Sequence, residues 1–469
     1  MKSTNRTTFA VFFGNRGLFP ASLIASARRE MRRALEKLGH KALMLPEKAT
    51  RHGAVETPAE GRAFAEFLLK NRGRYGGVIL CLPNFGDETG AVAALEAAGV
   101  PILVQAYPDD LRKMAPASRR DAFCGKLSVM DVLRQYGIRF TALAPHVVSP
   151  GSAAFGGNLE YFDRLCRVVG GLRGAVIGAI GARTTPFKTV RIDELTLQQH
   201  GITVETTDLA EVFMRVEALG DQAAEVRSKS AAIGRLASWA GAPEESRLTL
   251  ARLGAVLDGL VREQLLDAVA VRCWTEMQRK LGVSPCILLG EMNERGIPAA
   301  CEVDVGTALA MLALRQASGR PAACLDWNNN YGDAPDKCIL FHCGPLPPSL
   351  MSGRGCIADH AILANAVGPN RGWGCNVGRI APQAFTFAGV VTENGQVKCY
   401  LGEGRFTKDA IPADFFGCAG VAEIPRLQEV LRTIGLEGHR HHVGVTPGHV
   451  AAPLGEALES YLGWRVTRV

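Results

Sequence analysis

Several familiar signatures are missing from this sequence, and each absence removes a class of protein. No two of its thirteen cysteines form a Cys-x-x-Cys pair, which argues against zinc knuckles and dithiol redox motifs. The odd count fits reduced thiols in a cytoplasmic protein better than a disulfide framework. No run of about 18 apolar residues is present to span a membrane. The apolar stretch Phe9–Phe13 is broken by Gly14-Asn15-Arg16 and is too short for the core of an export signal. Basic residues are scattered, as in Arg28-Arg29 with Arg32-Arg33 at helical spacing, and the formal net charge is only +7 over 469 residues. No nucleic-acid partner is expected. Gly178 and Gly181 follow an apolar run, but the full Gly-x-Gly-x-x-Gly spacing is absent, so a dinucleotide site is not expected.

A hydrophobic content of 47% and a charged content of 21% are those of a soluble globular protein. The length calls for two or three domains. Phe9–Phe13, residues 41–45, 77–82 and 100–105 read as strands with helical spacing between them, which implies a parallel sheet with its working loops at the strand carboxyl ends. Gly14 to Gly17 and Pro83 to Glu88 occupy such ends. A second unit of the same texture starts near Leu172, with a strand over 173–180, a loop over 181–188 and helix-like segments from about 209 to 278. After about residue 345, Gly and Pro become frequent, and Glu393-Asn394-Gly395 between two strands is a hairpin signal. The fold class expected is α/β, with two Rossmann-like parallel-sheet units followed by a mostly antiparallel, barrel-like domain. The domains are placed at 1–168, 169–345 and 346–469, the second carrying the carboxylates described next.

Glu302, in Pro-Ala-Ala-Cys-Glu-Val-Asp-Val, and Asp326, in Ala-Ala-Cys-Leu-Asp-Trp-Asn-Asn-Asn, each lie in an apolar run. An ionised carboxylate there is costly unless paired, hydrogen-bonded or bound to a cation. Taken singly, Glu302 also reads as a helix cap and Asp326 as an Asx turn. Taken together, with His342 in Phe-His-Cys-Gly, they read as an oxygen/nitrogen site for a divalent metal. His439, His441, His442 and His449 cluster near the end, a metal-binding cue. Two carboxylates and one or two imidazoles suit Mn²⁺, and also Mg²⁺, Co²⁺ or Fe²⁺. A metal so held chelates neighbouring sugar oxygens while the carboxylates move a proton between adjacent carbons.

The stretches Gly181-Ala-Arg-Thr-Thr-Pro-Phe-Lys-Thr-Val-Arg191, Cys301-Glu-Val-Asp-Val305, Leu325-Asp-Trp-Asn-Asn329, Phe341-His-Cys-Gly344 and His441-His442-Val443 resemble, in this order, the L-fucose isomerase/L-arabinose isomerase family, nearer the fucose branch. The resemblance implies a metal-dependent aldose–ketose isomerase, an intramolecular oxidoreductase of carbohydrate metabolism. Glu302 and Asp326 would be its catalytic, metal-binding carboxylates. His442 would be the third ligand, with His441 as the other choice in that pair and His342 as a ligand or an outer-shell group. It further implies a homo-oligomer, often a hexamer, in which Arg16 and the Phe85 loop help close a neighbour's site. Substrate contacts are assigned to Arg16, Arg183, Lys188, Trp327 and Asn328. The cofactor expected is Mn²⁺ or another divalent cation such as Mg²⁺ or Co²⁺. The main substrate reading is an aldose; the alternative is a sulfonated or otherwise anionic hexose, bound through Arg183 and Lys188. A non-enzymatic sugar-binding protein is the rival class.

Overall fold

The computed structural model of the chain describes residues 6–469. The chain divides into two compact units, Lys2–Gly170 and Gly171–Val469. In the first, the strands Phe9–Phe13, Ala42–Met44, Gly77–Leu82 and Ile102–Ala106 form a parallel sheet in the order second, first, third, fourth. Three of these strands are buried throughout. This explains why they read as unbroken apolar runs: helices cover both faces of such a sheet.

The second unit begins with another four-stranded parallel sheet, made of Val176–Ile180, Thr203–Thr207, Ala268–Val271 and Ala299–Cys301 in the same order. Its third strand lies inside the region that the sequence reads as helical. Ala268-Val-Ala-Val271 is fully buried, and a four-residue apolar run carries no period that separates a strand from a helix.

The rest of this unit is a large, mostly antiparallel sheet that closes on itself. Ala323–Asn330 pairs with Lys337–His342, which pairs with Cys418–Glu423, then Gln396–Phe406, then Gln383–Glu393, then His442–Pro447, and the last returns to Ala323–Asn330. Every step in this ring is antiparallel, so the barrel-like expectation holds. The closed ring starts at Ala323, upstream of residue 346, where the sequence texture changes, and the short strand Ala237–Ser238 joins the sheet's edge. The hairpin turn is where Asn394-Gly395 places it, with φ of 50° and 72° at these two residues, the left-handed pair that a type I′ turn needs. Leu325, Leu340, Phe385, Phe387, Tyr400, Val443 and Val445 fill the interior. No helix among the described residues is long and apolar enough to cross a membrane.

His439 packs against this core. Its ring meets Tyr400 edge-on at 4.8 Å and its side chain is buried. Burial, helped by Lys398, pushes its pKa down to about 4. An unfolded histidine titrates near 6.5, so between these values the unfolded chain takes up a proton that the folded chain refuses. Stability is therefore fully present above pH ~6.5 and falls as pH drops towards 4, by on the order of 3 kcal/mol for this group. Urea unfolding of wild type and His439→Phe across this range checks it. The variant is expected to lose that part of the pH slope; identical slopes would remove His439 as its source.

Candidate metal centre

Three neighbouring strands and one turn build the site. Asp326 stands within Ala323–Asn330, paired on one side with His442 and on the other with Phe341, the residue before His342. The register alone thus puts one carboxylate and two imidazoles on adjacent strands. Glu302 comes from the turn that follows the last parallel strand. Glu302 and Val303 both adopt left-handed φ, 66° and 58°, a conformation that is an outlier for a β-branched residue and costs about 1–3 kcal/mol at each such position. The turn sets Asp304 as the cap of helix Val305–Ser318, where it accepts the Thr307 N–H at 2.9 Å and the Thr307 hydroxyl at 2.7 Å. Asp304, not Glu302, is the helix cap, and Asp326 lies within a strand rather than in an Asx turn. Neither alternative use of the two carboxylates is realised.

The groups converge closely. His442 Nε2 lies 3.3 Å from Glu302 Oε2 and 3.5 Å from Asp326 Oδ1. Adjacent ligands about 2.1 Å from an octahedrally bound ion stand about 3 Å apart, so each carboxylate is spaced from His442 as a pair sharing a cation would be. These three atoms are buried and have no hydrogen-bond partner. Orphaned buried polar atoms are rare and call for an ion or water, and the oxygen/nitrogen donor set suits a hard or borderline divalent cation. Glu302, His441 and His442 offer ligand atoms within 4.8 Å of one another, as do Cys324, His342 and His442. Of the adjacent pair, His442 is 1% exposed and His441 41%, with His441 Nε2 3.9 Å from Asp326.

Behind His442 stands a third carboxylate. His442 Nδ1 donates to Asp304 Oδ2 at 2.7 Å, and Arg440 pairs with Asp304 Oδ1. This holds the ring with its Nε2 lone pair towards Glu302 and Asp326, the arrangement that ligating histidines use. Burial opposes the Asp304 charge, but Arg440 and His442 outweigh it and hold its carboxyl well below the usual range. The two site carboxylates are pushed apart. Burial raises Asp326 beyond what His342 and His442 offset, whereas at Glu302 the same penalty is overcome by His442 and His342, which hold it low. Asp326 is thus the more readily protonated of the two.

A cavity of about 290 Å³ opens on this cluster, lined among others by Glu302, Asp326, His342, Trp274, Phe341 and His360. Its walls are more apolar than polar, as small-molecule pockets commonly are. Phe187 stands at the site as well, 5.3 Å from the His441 ring, 5.9 Å from His442 and 5.8 Å from Trp274. It lies on the loop after strand Val176–Ile180, between Arg183 and Lys188. Arg183 turns back to the carbonyls of Thr184 and Thr185, both at 3.2 Å, and Lys188 is exposed. Neither lines the cavity. Trp327 also points away from it: its indole donates to Tyr400 Oη at 3.0 Å and meets Phe387 edge-on. Alternation along a strand dictates this, since neighbours of Asp326 face the other side. Asn328 is exposed, at an irregularity in the pairing between Trp327 and Asn329, and lines a separate groove with Trp327 and Asn330. In the first unit, Arg16 follows strand Phe9–Phe13; it donates to Gly86 O at 2.8 Å, pairs with Glu88 and lies 4.3 Å from the Phe85 ring centroid.

Asp304, Arg440, Phe187 and Trp274 were not singled out in the sequence. Asp304 left a usable signal, Asp-x-x-Thr at the head of an apolar helix, which is an N-cap pattern. Phe187 and Trp274 left none, because a loop aromatic declares its neighbours only once the chain is folded.

Residues 10–173 match the family model of the fucose/sulfoquinovose isomerase N-terminal domain, and residues 340–469 that of the L-fucose isomerase C-terminal domain. Among curated proteins, the sulfoquinovose isomerases of Priestia aryabhattai and Priestia megaterium are each 26% identical over 293 residues, covering 61% of this chain and 62% of theirs. That of a Clostridium species is 25% identical over 308 residues, covering 65% and 66%. The matched segment thus spans about three fifths to two thirds of the length of these relatives. Among solved structures, the apo-structure of D-lactate dehydrogenase from Escherichia coli aligns at 10% identity with a TM-score of 0.16, covering 67% of this chain and 98% of that one, a likeness too weak to carry fold or function. With two domain models matched in order, the chain belongs to the fucose isomerase-like family.

Proposed function

We propose that this protein interconverts an aldose and its ketose through a cis-enediol, with Glu302, Asp326 and His442 holding a divalent cation, Mn²⁺ or else Mg²⁺ or Co²⁺. The observation that carries this reading is His442 Nε2 standing 3.3 Å from Glu302 Oε2 and 3.5 Å from Asp326 Oδ1, all three atoms buried and unpartnered, with both carboxylates lining a cavity. When bound, such an ion supplies Lewis-acid stabilisation of charge on adjacent sugar oxygens. The chain itself moves the proton. One carboxylate takes it from C2 and it returns at C1, so carbonyl and hydroxyl exchange places with no change of mass. Asp326, the more easily protonated of the pair, is the group suited to carry it between the carbons. Incubating the protein and Mn²⁺ with aldopentoses, 6-deoxyhexoses and sulfonated hexoses tests the reading. An isomer of unchanged mass is expected from at least one; a cleaved product, or none, would sink it.

A second substrate reading, a C6-sulfonated hexose, is favoured by the curated relatives, which are named sulfoquinovose isomerases. No lysine or arginine lines the cavity among the described residues, so the anion would meet Arg183 or Lys188 at its edge or a residue from a neighbouring copy. The family resemblance supports a homo-oligomer, a hexamer, in which Arg16 and the Pro83–Glu88 loop complete a neighbour's pocket. Size-exclusion chromatography with activity assayed across the peaks should find turnover only in the assembled species, and an active monomer peak would end the shared-site idea. Thirteen cysteines, all free, favour the reducing cytoplasm as the setting.

A further inference from the structure

His342 lines the same cavity as Glu302 and Asp326 but is held in the opposite way to His442. Its Nδ1 receives the backbone N–H of Cys343 at 2.9 Å, with the Cys343 Sγ at 3.2 Å. A peptide N–H can only donate, so Nδ1 must keep its lone pair, and the proton of the neutral ring sits on Nε2. Nε2 lies buried, without a protein partner, in a residue 3% exposed that lines the cavity beside Glu302 and Asp326. In His442, 5.9 Å away between ring centroids, Nδ1–H donates to Asp304 Oδ2, and the neutral ring carries its lone pair on Nε2. His342 therefore turns an N–H towards the cavity, whereas His442 turns an electron pair towards Glu302 and Asp326.

We propose that His342 is a fixed hydrogen-bond donor to a substrate oxygen rather than a ligand of the cation. This rests on the isomerase reading for its substrate, but the tautomer stands on the local geometry alone. An N–H aimed into a cavity repels a cation and attracts an oxygen, most strongly one that gains negative charge as the C2 proton leaves. A donor fixed by a backbone contact needs no reorganisation at that moment, which is what makes such groups effective. Ligation through His342 Nε2, whether with the carboxylates or with Cys324 and His442, would move the proton to Nδ1 and break the contact with Cys343.

Two measurements test this. Bound Mn²⁺ is quantified, and kcat and KM are determined, for wild type, His342→Ala and His342→Gln. The glutamine amide reaches to where Nε2 stood. Both variants should keep wild-type metal content. His342→Ala should lose about a hundredfold in kcat, as for a single lost transition-state donor, with His342→Gln recovering a large part. Loss of Mn²⁺ from folded His342→Ala, or a glutamine variant as poor as alanine, would overturn the proposal. Should either variant fail to fold, ¹⁵N NMR of the wild-type imidazole with Mg²⁺ bound reads the tautomer directly. A proton on Nε2 and none on Nδ1 is expected; a proton on Nδ1 contradicts the assignment. If no sugar is turned over, the isomerase reading fails, while metal content and tautomer still decide whether His342 is a ligand.

Discussion

Glu302→Gln and Asp326→Asn should each lower turnover by at least about a hundredfold, the low end of what general acid–base catalysis supplies. Each change keeps the shape of the side chain and removes one negative charge from the cluster, together with a proton acceptor. Neither carboxylate is spent on structure: the helix cap is made by Asp304, and Glu302 Oε2 and Asp326 Oδ1 have no hydrogen-bond partner. The variants should therefore fold, and circular dichroism with a thermal melt separates lost chemistry from lost structure. Near-normal turnover in either folded variant would end the two-carboxylate mechanism. Stability separates the two variants. Without a cation, burial raises the Asp326 carboxyl, so Asp326→Asn should leave the metal-free protein no less stable than wild type, whereas Glu302 is held low by His442 and His342, so Glu302→Gln should lose that stabilisation.

The second large effect is expected at His442. His442→Ala should empty the site of metal and abolish activity, because Nε2 is the atom that both carboxylates face. Asp304→Asn should act through it. Removing the carboxylate that fixes the ring typically costs about 10–100-fold in metal affinity, so this variant should recover at high Mn²⁺ concentration while His442→Ala does not. Equilibrium dialysis with Mn²⁺ distinguishes the two. Loss of metal from His441→Ala with retention in His442→Ala would shift the ligand by one position. Retention in both would remove the C-terminal strand from the metal shell.

Much of this architecture was legible because burial on both faces of a parallel sheet writes continuous apolar runs, as in Phe9–Phe13 and Gly77–Leu82. The hairpin at Asn394-Gly395 was legible because only a few residues accept two left-handed positions in succession. Ala268–Val271 was not, since four small buried residues show no period. Nor was helix Cys286–Glu294 separable from a strand on its first four apolar residues; nearly all its positions are buried, so it has no polar face to set a 3.6-residue rhythm. Closure of the barrel depends on Gln396–Phe406 meeting Cys418–Glu423, a pairing that no local pattern announces.

The site follows the same division. Glu302, Asp326, His342 and His442 stood out as charged or titratable groups in apolar runs; the fold brings the first three to one cavity and sets His442 Nε2 within 3.5 Å of both carboxylates. Trp327 was misplaced because aromatic character, not strand parity, suggested it: it neighbours Asp326 in sequence and so faces the barrel interior. Asn328, Arg183 and Lys188 lie outside the cavity lining. The support around His442 depends on a contact between Asp304 and Arg440, 136 positions apart, which one sequence cannot reveal.

The central claim is that isomerisation depends on a cation held by Glu302, Asp326 and His442. The most direct test is to strip the purified protein with chelator, remove the chelator, and measure bound metal and isomerase activity together as Mn²⁺ is titrated back, for wild type and His442→Ala in parallel. Activity and bound Mn²⁺ should rise together in wild type, saturating at a stoichiometric ion, and both should stay near zero in His442→Ala. Isomerisation at full rate by the metal-free wild-type protein, or by His442→Ala carrying no metal, would contradict the account.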